Sequence, residues 1–419
     1  MPSARPTLTV DDVHAVAAGR CFSPSTAPLV GVELEWLTFD HRDAGVRVDP
    51  GRLRQCTSDG ACFPNRSALT FEPGGQLELS TPPSPTIDDA CLKASTDLTA
   101  AARAAGQIGV RLVGLGSDPV RSSARVVDSP RYDAMERYFE PGGPAGRRMM
   151  CNTAAVHINV GLGPSPDDAE RQWRVAHAIG PALAAVFANS PVLEGRPSGF
   201  KSSRLAAWWA MDGTRTAPVA DGRSGPVAWA DYVLDAKIML IRLGPESFVP
   251  IEESITFRSW LEDGSELGYP TGDDLDYHMS TLFPPVRPRG WLELRMVDAL
   301  PDPLWKVPLA VAAALLLDPA RGENALRACQ PAAGLWIEAA HLGLAHPKLA
   351  HAAEACFDNA RSALARCGVR ADTMAAVDRF RDTYIARRRS PADDRLDDWA
   401  RDGTLLPGLE SGDRERAWT

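Results

Sequence analysis

"GVELEW", residues 31–36, decides how the rest of the chain is read. Val32, Leu34 and Trp36 are the material of a buried strand, and Glu33 and Glu35 alternate with them. On an extended chain, residues two apart point to the same side. The stretch therefore lays one apolar face on a core and projects two carboxylates from the other. A strand half-exposed to water would look the same, so a single stretch does not distinguish a wet surface from a site.

Three further stretches repeat the pattern. "GQLELS" (75–80) alternates Gln76, Glu78 and Ser80 with Leu77 and Leu79. "AVHINV" (155–160) sets His157 and Asn159 against Val156, Ile158 and Val160. "WLELRM" (291–296) sets Glu293 and Arg295 against Leu292, Leu294 and Met296. If the four share a sheet, its polar face carries Glu33, Glu35, Glu78 and Glu293 together. Two carboxylates ~6 Å apart at an effective dielectric near 20 repel by roughly 3 kcal/mol, a heavy load for a marginally stable domain. Water could screen them, or cations could hold them. A histidine among oxygen ligands suits Mg²⁺ or Mn²⁺, and carboxylates leaving room for phosphates are how magnesium is carried in phosphoryl-transfer sites. Arg295 could then meet a phosphate oxygen.

The rest of the sequence bounds the answer. With 419 residues, 44% hydrophobic and 24% charged, the chain can bury a large core. A net charge of −9 and a pI near 5.5 argue against nucleic acid or an anionic membrane as partner. Of the 45 basic residues only five are lysines, a bias from which no function follows. The eight cysteines include no C-x-x-C pair and no zinc-ligand spacing with histidine, and read as buried thiols of a reducing cytosol. "MPSARPTLTV" lacks the apolar run of a signal peptide. "PLAVAAALLL" (308–317) is about half a membrane span. A soluble, cytoplasmic protein is expected. P-loop, dinucleotide, zinc-protease and serine-hydrolase signatures are absent from the sequence.

Helices are expected from Thr9, capped with Asp12, from Thr86 to about 105, from Ser165 to about 188, and through most of 303–400. Strands are read at 29–37, within 71–83, at 109–116 and at 254–261, "SITFRSWL". Residues 140–148 read as a glycine-rich loop and 191–235 as irregular. No repeat or interdomain linker is evident, so the chain is taken as one α+β domain, 1–419, flexible at about 1–8 and 405–419.

"GVELEW", "EPGGQLELS", "MMCNTAAVHINVGLG", "SSRLAAWWAMDGTRT" and "DYHMSTLFPPVRPRGWLELRMVDALPDP" occur in that order, over roughly residues 30–305. Together they resemble the glutamate–cysteine ligases of the plant and actinobacterial type, and most of all those serving ergothioneine biosynthesis. The resemblance implies a carboxylate–amine ligase fold of the glutamine synthetase kind, a curved antiparallel funnel with helices outside and two or three Mg²⁺ ions, or Mn²⁺, inside. By that analogy Glu33, His157 and Glu293 share one metal and Glu35 and Glu78 another, with Glu72 nearby. Arg295 and Glu78 would be catalytic. ATP phosphorylates the glutamate side-chain carboxylate, and the cysteine amine displaces the phosphate. Arg204 or Arg215 would clamp the glutamate α-carboxylate, Trp208 and Trp209 would wall the site, and Thr153 and Asn159 would make polar contacts. Asp276, His278 and Ser280 fall in a matched motif without an assigned role, and Cys151 reads as core. Two other activities fit the same carboxylates: a γ-glutamyl ligase with another amine acceptor, and a metal-dependent γ-glutamyl amidohydrolase. The arginines are surplus to hydrolysis. A catalytically silent binding protein is disfavoured, because every expected ligand position holds a competent residue. Oligomeric state is not legible.

Overall fold

A computed structural model describes residues 8–57, 63–219 and 222–406. Seven strands form one antiparallel sheet: β1 (Val30–Asp40), β2 (Ala68–Phe71), β3 (Leu77–Ser80), β4 (Val110–Val113), β5 (Ala155–Gly161), β6 (Val286–Pro288) and β7 (Trp291–Asp298). Their order is β6-β7-β5-β1-β3-β2, with β4 beside the C-terminal end of β1. The sheet is open, with β6 and β2 at its edges. The four strands carrying the alternating pattern are thus consecutive neighbours, β7-β5-β1-β3.

Their apolar faces explain why they assemble. Val32, Leu34, Trp36, Leu77, Leu79, Val156, Ile158, Val160, Leu292, Leu294 and Met296 are all buried. Beneath them pack the helices Ile87–Gln107, Pro166–Val186 and Lys306–Leu317. The last is apolar on every side and buried on every side, as a helix without an amphipathic stripe must be. The helix Pro347–Cys367 closes this layer outside. The fold is α+β, with helices on the outer face and the carboxylate-bearing face open.

Local signals mostly held. Thr9 and Asp12 form a reciprocal capping box before Val10–Val16, and the hydroxyls of Thr86 and Ser165 accept from the backbone N–H three residues on. The stretch 254–261 is a correction. Thr256 caps a helix, Phe257–Asp263, because Phe257 and Trp260 are buried at a spacing of three, which is helical. Residues 145–152 form a helix at the end of the expected glycine-rich loop, and 191–235 contains the helices Ser203–Trp209, Gly213–Thr216 and Gly225–Asp235. Trp208 and Trp209 therefore end a helix. At the termini, Leu8 packs on the core and Leu405 and Leu406 are buried, so those positions are not loose. Residues 1–7 and 407–419 lie outside the described residues. Among the described residues no helix is long and apolar enough to cross a membrane.

Candidate active site

Strand register brings the carboxylates together. Glu35 lies opposite Glu78 across the β1–β3 pair, and Glu33 opposite His157 across β1–β5. Glu293 lies opposite Asn159 across β5–β7. Cross-strand partners on one face sit about 4.5–5.5 Å apart, close enough for side chains to interact. Glu72 joins them from the turn between β2 and β3. Gly75 takes φ +87 in that turn, and a Cβ on Gly74 would lie 2.0 Å from the carbonyl oxygen of Cys151. Only glycine allows the turn to press so closely on the helix Ala145–Asn152.

Two clusters result. Ligand-type atoms of Glu33, His157 and Glu293 lie within 4.8 Å of one another, and so do those of Glu35, Glu72 and Glu78. Glu33 and His157 of the first and all three of the second border a cavity of about 350 Å³, with Glu293 buried behind them, and Ser80, Arg131, Tyr132, Thr153, Trp208 and Arg295 border it too.

The two clusters differ electrostatically. In the first, His157 Nδ1 is 3.2 Å from Glu33, whose other oxygen accepts from the Asn159 amide at 3.0 Å. Burial, then the charge of Arg295, pushes His157 down to about 4, so its imidazole is neutral. Its Nε2 is buried without a hydrogen-bond partner. Glu293 is 0% exposed and accepts from Arg287 Nε, from Arg287 Nη2 at 3.0 Å and from Arg295 Nη1 at 3.0 Å. Burial alone would raise its carboxyl, but Arg287 and then Arg295 hold it far below the usual range. For Glu33 burial likewise opposes ionisation, and the hydrogen bonds with His157 and Asn159 overcome it.

The second cluster has no such anchoring arginine. Burial, then the charges of Glu72 and Glu78, pushes Glu35 well above the usual carboxylate range. Burial and then Glu78 push Glu72 up to about 7. Burial and then Glu33 raise Glu78, against hydrogen bonds from Thr70 and Ser80. Three half-buried carboxylates that resist ionising together are a place where a cation removes a penalty. Oxygen ligands, a neutral imidazole and an orphaned ring nitrogen fit a hard divalent cation.

The remaining expected residues divide. Trp208 and Thr153 do border the cavity, though the Thr153 hydroxyl is spent on the Met149 carbonyl at 2.7 Å. Asn159 is used between Glu33 and the Trp291 indole N–H, which it accepts at 3.0 Å, and so orients a carboxylate. Arg204 and Arg215 stand apart from these. Arg204 is buried, donating to the Arg295 carbonyl at 2.6 Å and lying 3.5 Å from buried Asp298. Arg215 is 0% exposed and spends its guanidinium on Asp212, Thr281, Tyr138 and the Lys237 carbonyl. Neither borders the cavity, and each holds together the segments its neighbours come from. Asp276 pairs with Arg20 at 2.8 Å, His278 is buried on the Val233 carbonyl at 2.9 Å, and Ser280 borders the cavity. Cys151 is core, as read.

The sequence reading missed Arg131, Tyr132, Arg287 and Arg289, all of which border the cavity. A signal for Arg287 existed. Gly290, at φ +84, makes the β6–β7 turn and sets Arg287 opposite Glu293. Arg131 and Tyr132 come from the helix Pro130–Phe139, which carries no local mark of a site.

The comparisons with known proteins give the family. The profile of the glutamate–cysteine ligase family 2 matches residues 29–402. Glutamate–cysteine ligase EgtA of Mycolicibacterium smegmatis is 40% identical over 374 residues, covering 87% of this chain and 86% of that protein. EgtA of Mycobacterium tuberculosis is 36% identical over 400 residues, covering 92% and 90%. A chloroplastic glutamate–cysteine ligase of Arabidopsis thaliana is 32% identical over 246 residues, 56% of this chain and 46% of that one. Among solved structures, a glutamate–cysteine ligase of Francisella tularensis in complex with AMP superposes with a TM-score of 0.47 at 13% identity, covering 90% and 86%. The chain belongs to the glutamate–cysteine ligase family 2.

Proposed function

We propose that the protein joins the γ-carboxylate of L-glutamate to the amine of L-cysteine at the expense of ATP, giving γ-glutamylcysteine for ergothioneine biosynthesis. The observation that carries the reading is the pair of clusters on one sheet face, Glu33–His157–Glu293 and Glu35–Glu72–Glu78, in a chain of this family. Each cluster would hold one Mg²⁺, with Mn²⁺ an acceptable substitute. When bound, these cations supply positive charge beside the transferring phosphoryl oxygens.

The chain's own residues supply the rest. Arg295 stands beside Glu293 with its guanidinium at the cavity, where it offsets charge on the transferred phosphoryl group. Arg287 keeps Glu293 ionised and fixed, and neutral His157 keeps a ring nitrogen free to ligate. Glu78, one of the second cluster's carboxylates, also faces the reacting groups. Arg131 and Arg289 also border the cavity and would meet substrate carboxylate or phosphate there, Arg289 lying 4.0 Å from Glu293. The γ-carboxylate oxygen attacks the terminal phosphorus and ADP leaves. The cysteine amine then attacks the acyl carbon, the C–O bond to phosphate breaks, and the amine loses a proton. Holding both partners in a cavity of about 350 Å³ limits the access of water to the acyl phosphate.

The whole chain acts as one catalytic unit in this reading, supported by a main core that runs from Val13 to Ile385. A cytoplasmic location is part of the same reading, supported by the need for ATP and a free thiol substrate and by seven described cysteines that are all free thiols. The test is trapping of the acyl phosphate. With Mg²⁺, ATP and glutamate but no cysteine, hydroxylamine should yield γ-glutamyl hydroxamate in step with ADP. ADP formed without hydroxamate would count against activation at the γ-carboxylate.

A further inference from the structure

A second cavity, of about 290 Å³, shares no lining residue with the one that holds the carboxylates. It lies among the helix Ile87–Gln107, β4 with the stretch that follows it, and the helix Pro391–Asp402. Trp36, Leu98, Leu112, Leu115 and Leu405 make its wall apolar, and all but Leu112 are buried. Trp36 comes from the apolar face of β1, so it projects to the side opposite Glu35, its neighbour in sequence.

Most of the polar lining is committed. Arg395 pairs with Asp398 at 3.2 Å, and Asp302 accepts from the Trp305 indole at 2.9 Å. Three groups remain. Arg111, half-buried on β4, makes no side-chain hydrogen bond or ion pair among the described residues. The Trp36 indole N–H and the Asn189 amide oxygen are buried without a partner. Asn189 Nδ2 donates to the carbonyls of Gly114 at 2.9 Å and Ala299 at 2.8 Å, which fixes the amide and leaves its oxygen unspent. A cation, an indole donor and an amide acceptor set in an apolar wall are the makings of a ligand pocket, and the volume is at the lower end of the range of about 300–1,000 Å³ for such pockets.

We propose that this cavity is a regulatory site for a small carboxylate carried on a flat apolar body. Arg111 and the Trp36 indole meet the carboxylate, the leucines cover the body, and Asn189 accepts from an N–H donor on the ligand.

The two partnerless groups also connect the cavity to the chemistry. Trp36 follows Glu35 in β1 and lies opposite Leu77, which precedes Glu78 in β3. The Asn189 backbone N–H donates to Asp298 at 2.8 Å, Asp298 lies 3.5 Å from Arg204, and Arg204 donates to the Arg295 carbonyl at 2.6 Å. A ligand that fixes Trp36 and Asn189 therefore acts on the strands that carry Glu35 and Arg295. It changes the divalent-cation affinity of the Glu35–Glu72–Glu78 cluster, and linkage requires the cation to change the ligand's affinity by the same factor.

The test is calorimetry on the full chain with three probes: 3-phenylpropionate, L-phenylalanine and 2-phenylethylamine. Both acids should bind with Kd on the order of 0.1–1 mM, as small one-ring ligands do, and the amine, which lacks the carboxylate, at least about tenfold more weakly. Tighter binding of L-phenylalanine than of 3-phenylpropionate would mark a free amino acid as the source, the reverse a simple arylalkyl acid. Arg111→Gln should erase the preference for the acids. Ala102→Trp, at an exposed position of the helix on the cavity's border, should block all binding. Neither variant should alter kcat or the KM for ATP or glutamate. Saturation with 3-phenylpropionate should shift the Kd for Mn²⁺ about fivefold or more. No heat from either acid, binding indifferent to both variants, or competition with ATP or glutamate would overturn the site. An unmoved Kd for Mn²⁺ with the probe bound would overturn its regulatory role. None of these readings depends on which amine the enzyme ligates, so their failure is distinct from failure of the ligase reading.

Discussion

Replacing Glu35 by Gln separates the stability of the metal-free protein from its response to metal. Glu35, Glu72 and Glu78 present ligand atoms within 4.8 Å of one another, so each ionised pair repels by about 3.5 kcal/mol or more at an effective dielectric of 20. Two of the three pairs involve Glu35. Partial protonation already relieves part of this at neutral pH, because Glu35 and Glu72 both sit above the ordinary carboxylate range, pushed first by burial. A net relief of roughly 1–3 kcal/mol therefore remains for Glu35→Gln. The amide oxygen can still accept from the Ala155 N–H, which Glu35 now holds at 2.8 Å, so the strand pairing survives. Without divalent metal the variant should melt a few degrees higher than the parent, on the order of 2 °C per kcal/mol for a chain of this size. The stabilisation the parent gains from millimolar Mg²⁺ should shrink or vanish, since one charged ligand is gone. ATP turnover should fall below detection. Thermal melts with EDTA and with MgCl₂, alongside phosphate release, read all three. A variant that melts lower without metal, responds to Mg²⁺ like the parent and turns over ATP would refute the reasoning.

Arg215→Lys keeps the charge but not the fork of donors, so it should cost roughly 3–5 kcal/mol of stability while leaving the KM for glutamate unchanged in the folded enzyme. A selective rise in that KM would restore Arg215 as a substrate clamp. Asp212 gives a pH signature: burial opposes its ionisation, but Arg215 and hydrogen bonds from Thr214 and Tyr138 hold its carboxyl below the ordinary value. A depressed folded-state value means stability that is present above the unfolded-state value and lost as pH falls through the folded one. Asp212→Asn should accordingly be less stable near neutrality and lose less than the parent on acidification below about pH 4. Gly74→Ala would set a Cβ 2.0 Å from the Cys151 carbonyl oxygen and force the Glu72 turn off the helix behind it. A loss of roughly 1–3 kcal/mol, with weakened Mn²⁺ binding, is expected from denaturant melts and calorimetry.

Much of the site was legible because strand alternation is a strict rule. Period two assigns every second residue to one face, so Glu33, Glu35, Glu78, His157 and Glu293 could be placed on a shared surface before any pairing was known. What the alternation leaves open is adjacency, and the order β7-β5-β1-β3 supplies it. The same rule misled at 254–261, where Thr256 and the spacing of Phe257 and Trp260 made a helix of an apparently alternating run. Arg204 and Arg215 show a different limit. A guanidinium in a functional motif looks alike whether it meets a substrate or binds the motif together, and only its burial and its partners in Asp298, Asp212 and Thr281 distinguish them. Arg131, Met135, Met149 and Met150 reach the cavity from helices with ordinary sequences, so nothing local announced them.

The most direct test is phosphate release by the purified protein with Mg²⁺ and ATP, with glutamate and cysteine supplied singly and together, and the product identified by mass spectrometry. The account predicts release that requires both amino acids and equals the γ-glutamylcysteine formed. Release with no need for glutamate, or a folded protein that consumes no ATP yet cleaves γ-glutamyl bonds, would contradict it.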